Sequence, residues 1–121
     1  MNFLIKQGKG WRIGWKPNPC TYQGLLGGED WAMELTSAEM ADFCRLLPEI
    51  NQAVIDISEH LMDEEKIVCE MESELLWLGA EGYPQNYSLR VILSQGRCCE
   101  GTWSVEVLPE LLKAIQSFHL F

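Results

Sequence analysis

In Trp11-Arg12-Ile13-Gly14-Trp15-Lys16 two tryptophans alternate with two bases, and on a β-strand such alternation puts the rings on one face and the charges on the other. Exposed, that pattern suits single-stranded nucleic acid, because bases stack on aromatic rings for about 1–3 kcal/mol each while Arg and Lys follow the phosphates. Turned inward, Trp11 and Trp15 are core, and Arg12 and Lys16 merely keep the strand in water. With Lys9 just upstream, few positive charges oppose a chain whose net charge is −9, and phosphate contacts weaken steeply with salt. The balance therefore favours the core reading. Glu29-Asp30-Trp31 is a second group, polar and aromatic, of the kind that partner proteins use. The candidate contact residues for nucleic acid or a partner are thus Lys9, Trp11, Arg12, Trp15, Lys16, Glu29, Asp30 and Trp31.

Other reactive side chains form weaker patterns. Glu59, His60, Asp63, Glu64 and Glu65 could face a hard cation, but acids at a helix end more commonly face water. Cys98-Cys99 would point to opposite faces of a strand, one thiol buried and one exposed, both reduced. A cysteine nucleophile needs a positioned base, and only His60 and His119 exist. Gly24-Leu25-Leu26-Gly27-Gly28 lacks the Lys-Ser or Lys-Thr of a phosphate loop and reads as a mobile hairpin loop. No catalytic residue, metal ligand or cofactor site is assigned, and an enzyme is not expected.

These residues sit in a chain of 121 residues, a length that suits one domain over 1–121. Five cysteines without a C-x-x-C pair point to free thiols, not to disulfides or zinc. No apolar run is long enough for a membrane span, and Met1-Asn2-Phe3-Leu4-Ile5-Lys6 is too short for a signal peptide, so the expected location is the cytoplasm. Lys6, Lys9, Arg12 and Lys16 fall in an opening stretch with no acid, while the other five bases share the rest of the chain with all eighteen acids.

The spacing of apolar residues predicts an α+β fold. Strands are expected over Phe3–Lys6, Trp11–Lys16, Tyr22–Leu26 and Asp30–Leu35, with glycine and proline turns between them. Thr36 followed by Glu39 marks a capping box. Met40, Phe43, Cys44, Leu47, Ile50, Val54, Ile57 and Leu61 then make one apolar stripe of a long helix over 37–62, kinked at Pro48. Alternation returns in Ile67–Glu72, in a piece where Leu75 and Trp77 share a face, in Tyr87–Ser94 and in Arg97–Trp103, a meander of antiparallel strands. A helix over 109–118 closes the pattern, with Pro109 at its start. Asp30-Trp31-Ala32-Met33-Glu34-Leu35 parallels Thr102-Trp103-Ser104-Val105-Glu106-Val107, which predicts four strands and a helix, repeated once. The helix stripes present more apolar surface than one small sheet covers, which predicts a homodimer.

Gly10-Trp11-Arg12-Ile13-Gly14-Trp15, Gly27-Gly28-Glu29-Asp30-Trp31-Ala32, Asp42-Phe43-Cys44-Arg45-Leu46-Leu47, Leu61-Met62-Asp63-Glu64-Glu65 and Glu81-Gly82-Tyr83-Pro84 together resemble the domain of unknown function 1818 family, small acidic proteins of cyanobacteria and plastids. The resemblance spans nearly the whole chain. It implies a Whirly-like fold, that of single-stranded-DNA-binding transcriptional regulators, in which curved antiparallel sheets and swapped helices form a dimer. The Whirly Lys-Gly-Lys-Ala-Ala-Leu strand motif has only Gly8-Lys9-Gly10-Trp11 as its counterpart, and the family name carries no activity. The expectation is a non-enzymatic homodimeric interaction or regulatory protein; the alternative is a single-stranded nucleic-acid-binding regulator that uses the basic opening strands.

Overall fold

The computed structural model of the chain describes residues 4–60, 65–94 and 96–118. Short extended segments separated by turn-forming residues give β1 (Leu4–Gly8), β2 (Trp11–Trp15), β3 (Gly24–Gly27) and β4 (Ala32–Leu35), antiparallel and adjacent in chain order, followed by α1 (Ser37–Ser58). A second sheet of the same plan holds β5 (Ile67–Glu72), β6 (Leu76–Tyr83), β7 (Asn86–Leu93) and β8 (Glu100–Trp103), followed by α2 (Leu108–Gln116). The class is α+β, and four strands and a helix do occur twice.

α1 begins where the sequence places it. Thr36 Oγ1 accepts from the Glu39 amide at 3.2 Å, and Glu39 Oε1 accepts from the Thr36 amide at 2.8 Å, so two donors of the first turn are satisfied reciprocally. Pro48 lies inside the helix without ending it, because the stripe stays in phase across it: Met40, Phe43, Leu47, Ile50 and Val54 are all 0% exposed. Each large apolar side chain buried this way contributes about 1.5–3 kcal/mol. The helix stops at Ser58 rather than 62. Ile57 emerges into solvent and Leu46 is buried instead, while the expected end of the stripe at Leu61 lies outside the described residues.

In the second sheet Leu76, Leu78 and Ala80 alternate inward with Tyr87, Leu89, Val91 and Leu93 of the neighbouring strand. The strand starts at Leu76 and not before it, and Trp77 lies on the outer face with its six-membered ring over Gly79. Leu75 belongs to the turn, where the Ser73 hydroxyl accepts from the Leu75 and Leu76 amides. β8 is also shorter than expected, beginning at Glu100. Cys98 has φ 55, which breaks an extended run, so Cys98 and Cys99 lie in a loop and not on two faces of a strand. All five cysteines are free.

One cluster of buried side chains draws on both sheets and both helices. α1 packs on β5 and β6 and also on β3 and β4, and α2 packs on α1 and β7. Two sheets thus cover what one small sheet could not, and the helices are buried within one chain. Ile55 and Ile57 of α1 stay exposed.

Among the described residues the sheets share no backbone ladder; side chains join them. Trp31, in the β3–β4 turn, donates from Nε1 to the Thr102 carbonyl of β8 at 3.0 Å. Trp103, at the end of β8, donates from Nε1 to the Gly27 carbonyl of β3 at 2.9 Å. The two rings meet at 4.9 Å between centroids, tilted by 60°, within the favourable range for aromatic pairs. The two motifs matched in sequence therefore meet in space, but out of register: β4 follows Trp31, whereas β8 ends at Trp103. A third tie comes from Arg97, which donates to Glu39 Oε1 at 2.5 Å and to the Glu34 carbonyl, with its guanidinium 4.5 Å from the Tyr22 ring centroid. Glu39, which the stripe places on a solvent face, is consequently only 3% exposed.

Trp31 fits against β8 because Gly101 has no side chain; a methyl group there would collide with the indole Cδ2, Cε2 and Cε3 atoms. Gly101→Ala is therefore expected to lower stability by about 1–3 kcal/mol, read as a fall in the urea midpoint at unchanged slope. Alkaline pH gives a second readout. Burial pushes the Cys44 thiol up from 9.0 to about 11, so the fold favours the neutral form. Below pH 9 this has no effect, because the unfolded thiol is also protonated. Between about pH 9 and 11 the unfolded state loses its proton first and stability falls. Urea midpoints measured across that window should decline, and less steeply in Cys44→Ala.

Candidate functional site

β2 presents Trp11, Ile13 and Trp15 to the core, and the two tryptophans are each 8% exposed. Neither offers a face on which a base could stack. Arg12 points the other way, onto the outer face of the first sheet, level with Gln7 of β1 and Gly27 of β3. Gly27 leaves room for the guanidinium to lie against the strand: a methyl group on it would sit 3.3 Å from Arg12 Nε. That close approach buries Nε without a hydrogen-bond partner.

Arg12 borders an open cleft of about 560 Å³, together with Gln7, Glu29, Asp30, Trp31 and Ala32. Gly28 N donates to the Trp31 carbonyl at 2.9 Å, closing the β3–β4 turn with Glu29 and Asp30 at its exposed tip. The turn is held in place by the Trp31 bond to Thr102. On the opposite rim Trp11 Nε1 donates to Glu110 Oε2 at 2.9 Å, tying β2 to the first turn of α2. A second cleft of about 480 Å³ adjoins the first through Gly10 and Glu29, and adds Lys9, Ser104, Glu106 and Glu110. Among the described residues Arg12, Lys9, Glu29, Asp30 and Glu106 form no ion pair.

Six of the eight residues singled out in the sequence thus come together: Trp11, Arg12, Glu29, Asp30 and Trp31 border the first cleft and Lys9 the second. Trp15 is in the core, and Lys16 lies at the far end of the strand, 3.8 Å from Glu34. Glu106 and Glu110 were not foreseen. They are nearly a hundred residues from Lys9, and nothing in their local sequence distinguishes them from other surface acids. The glycine-rich stretch read as a mobile loop is instead β3, with Leu26 at 0% exposure, because a strand between two others needs no side chain where Met40 and Arg12 press on Gly24 and Gly27.

The remaining reactive groups offer less. Burial raises the Cys44 and Cys69 thiols, which removes the thiolate a nucleophile needs. Tyr87 donates to Asn51 Oδ1 at 2.5 Å, and its hydroxyl is pushed up to about 12 by burial and then by nearby Cys69. No group of three or more His, Cys, Asp or Glu converges as a metal site among the described residues. Asp63, Glu64 and His119 lie outside them.

Holding Arg12 in this position has a cost: a buried donor without a partner destabilises by about 1–3 kcal/mol. Arg12→Met, which keeps the stem and removes the orphan donor, is expected to raise stability by about 1 kcal/mol, seen as a higher melting temperature.

A solved structure from Prochlorococcus sp. NATL2A, described as a protein with unknown function from the DUF155 family, is similar to this chain at a TM-score of 0.88 and 30% sequence identity, covering 94% of this chain and 97% of that one. No curated protein matches. No helix among the described residues is long and apolar enough to cross a membrane. Residues 6–118 match the domain of unknown function family DUF1818, and the chain belongs to that family.

Proposed function

We propose that the protein is a non-enzymatic interaction protein that receives part of a partner protein in the cleft beside Arg12 and Trp31. One observation carries the reading: Arg12, Glu29 and Asp30 converge on an open cleft of about 560 Å³ and none of them has an ion-pair partner among the described residues. A protein keeps such groups at a stability cost where another molecule supplies the missing bonds.

The shape of the cleft supports a macromolecule over a small ligand. Small ligands are held in concave sites that bury most of their surface, whereas this cleft is shallow and edged by charge. The Whirly-like reading, with single-stranded nucleic acid as the ligand, calls for exposed rings beside bases. Trp11 and Trp15 are in the core, and the carboxylates of Glu29 and Asp30 border the cleft, so protein is the better partner. A second copy of the chain, forming a homodimer, is one such partner, and occupancy of the cleft would be the regulatory event.

Placing a photoreactive amino acid at Ala32, which is exposed and borders the cleft, tests this in cells. The expected outcome is one dominant adduct, either with another protein or with a second copy of the chain, absent when the probe is placed at Glu72 on the outer face of the second sheet. Identical diffuse adducts from both positions would reject the proposal.

A further inference from the structure

We infer that the two adjoining clefts act as one trough for an extended protein segment that bears a carboxylate and, a few residues away, a basic side chain. This rests on the reading that the cleft receives a partner protein and adds which chemistry is recognised. The carboxylate is assigned to Arg12, and the base to Glu29 and Glu106.

Three observations lead there. Arg12 borders the first cleft with its Nε covered by the β3 backbone region and unpartnered. Its terminal nitrogens remain to make bonds, and a planar guanidinium fork matches a carboxylate in two-pronged geometry. The second cleft is the more acidic: Glu29, Glu106 and Glu110 face a single base, Lys9, whereas Arg12 in the first cleft is joined by Glu29 and Asp30. The two clefts share Gly10 and Glu29, so a bound chain passes from a positive anchor to a negative stretch without leaving the surface. An extended segment advances about 3.3 Å per residue, and a few residues separate the two complementary charges.

The same charges argue against other ligands. A run of phosphates would place its anions against three carboxylates once past Arg12. An all-basic segment would meet the acids but leave Arg12 opposed by like charge. A segment with both signs pairs with each end of the trough, and its reversed or uncharged counterpart does not.

Blocked octapeptides test the assignment by fluorescence anisotropy: one with a Glu and two Lys four residues on, and one with Gln replacing that Glu. The first is expected to bind saturably, about tenfold more tightly than the second. Arg12→Gln should weaken the first peptide by the same factor and leave the second unchanged, the coupling expected if the two charges touch. Arg12→Lys should fall between, and Glu29→Gln with Glu106→Gln should weaken both peptides and flatten the salt dependence. Melting curves confirm that each variant is folded. Equal binding of the two peptides, or losses that simply add, overturns the proposal. So does free glutamate reproducing the Arg12-dependent effect at peptide concentrations, since that would make the ligand small. An Ala32 adduct that the Glu/Lys peptide does not displace would leave the interaction reading standing and this assignment refuted. Absence of a distinct adduct removes the interaction reading itself.

Discussion

The paired tryptophans at the seam set the arrangement of the whole molecule. Two four-stranded sheets with no shared ladder among the described residues have no backbone reason to hold a fixed relation, so that relation falls to side chains, with Trp31 and Trp103 at the centre of the seam. Each indole donates across the seam to a main-chain carbonyl, Thr102 in one direction and Gly27 in the other, and the rings rest against each other at 4.9 Å. The Trp103 bond is buried, so an indole there that lost its acceptor would leave a polar group stranded in an apolar setting, whereas the Trp31 bond lies at the exposed edge of the seam. Phe43 of α1 packs on Trp103 at 5.7 Å, which ties the helix to the same point.

Charge reinforces the seam at its other end. Arg97 reaches from the β7–β8 loop to Glu39 in the first turn of α1, to the Glu34 carbonyl of β4 and to the Tyr22 ring. The carboxylate that caps the helix also anchors the arginine, so a local signal for a helix start serves a long-range contact. Burial of the Glu39 carboxylate is tolerated because its Oε1 accepts from both the Arg97 guanidinium and the Thr36 amide; removing the arginine would leave that charge uncompensated. In the same loop Cys98 has φ 55, which breaks the extended run, and β8 begins only at Glu100.

Arg12 is the counter-example. On a strand whose other face supplies core tryptophans, it lies over a glycine with one donor covered and unpaired. The seam positions the β3–β4 turn beside it, and the Trp11 bond to Glu110 fixes the α2 side. The candidate site thus depends on the same indoles that stabilise the fold, used from their outer edges, and its electrostatic pattern reflects charge left unpaired on a frame whose other buried side-chain polar atoms, among the described residues, have partners.

Much of this was legible before any coordinates. The helix start at Thr36, the continuity through Pro48, the alternation of β7 and the repetition of four strands and a helix are all local or periodic, and short-range sterics and hydrogen bonding decide them. Six of the residues bordering the two clefts were legible too, as unusual combinations of ring and charge. Three things were decided only by the tertiary structure. Which face Trp77 and the β2 tryptophans take depends on what lies across from them, and in β6 the start of the strand is set by the Ser73 turn. Which helix faces are covered depends on how two sheets close around them. And Glu106 reaches the Arg12 trough only because α2 follows β8 across the seam, a proximity created by packing between residues far apart in the chain, on which no pattern of neighbours bears.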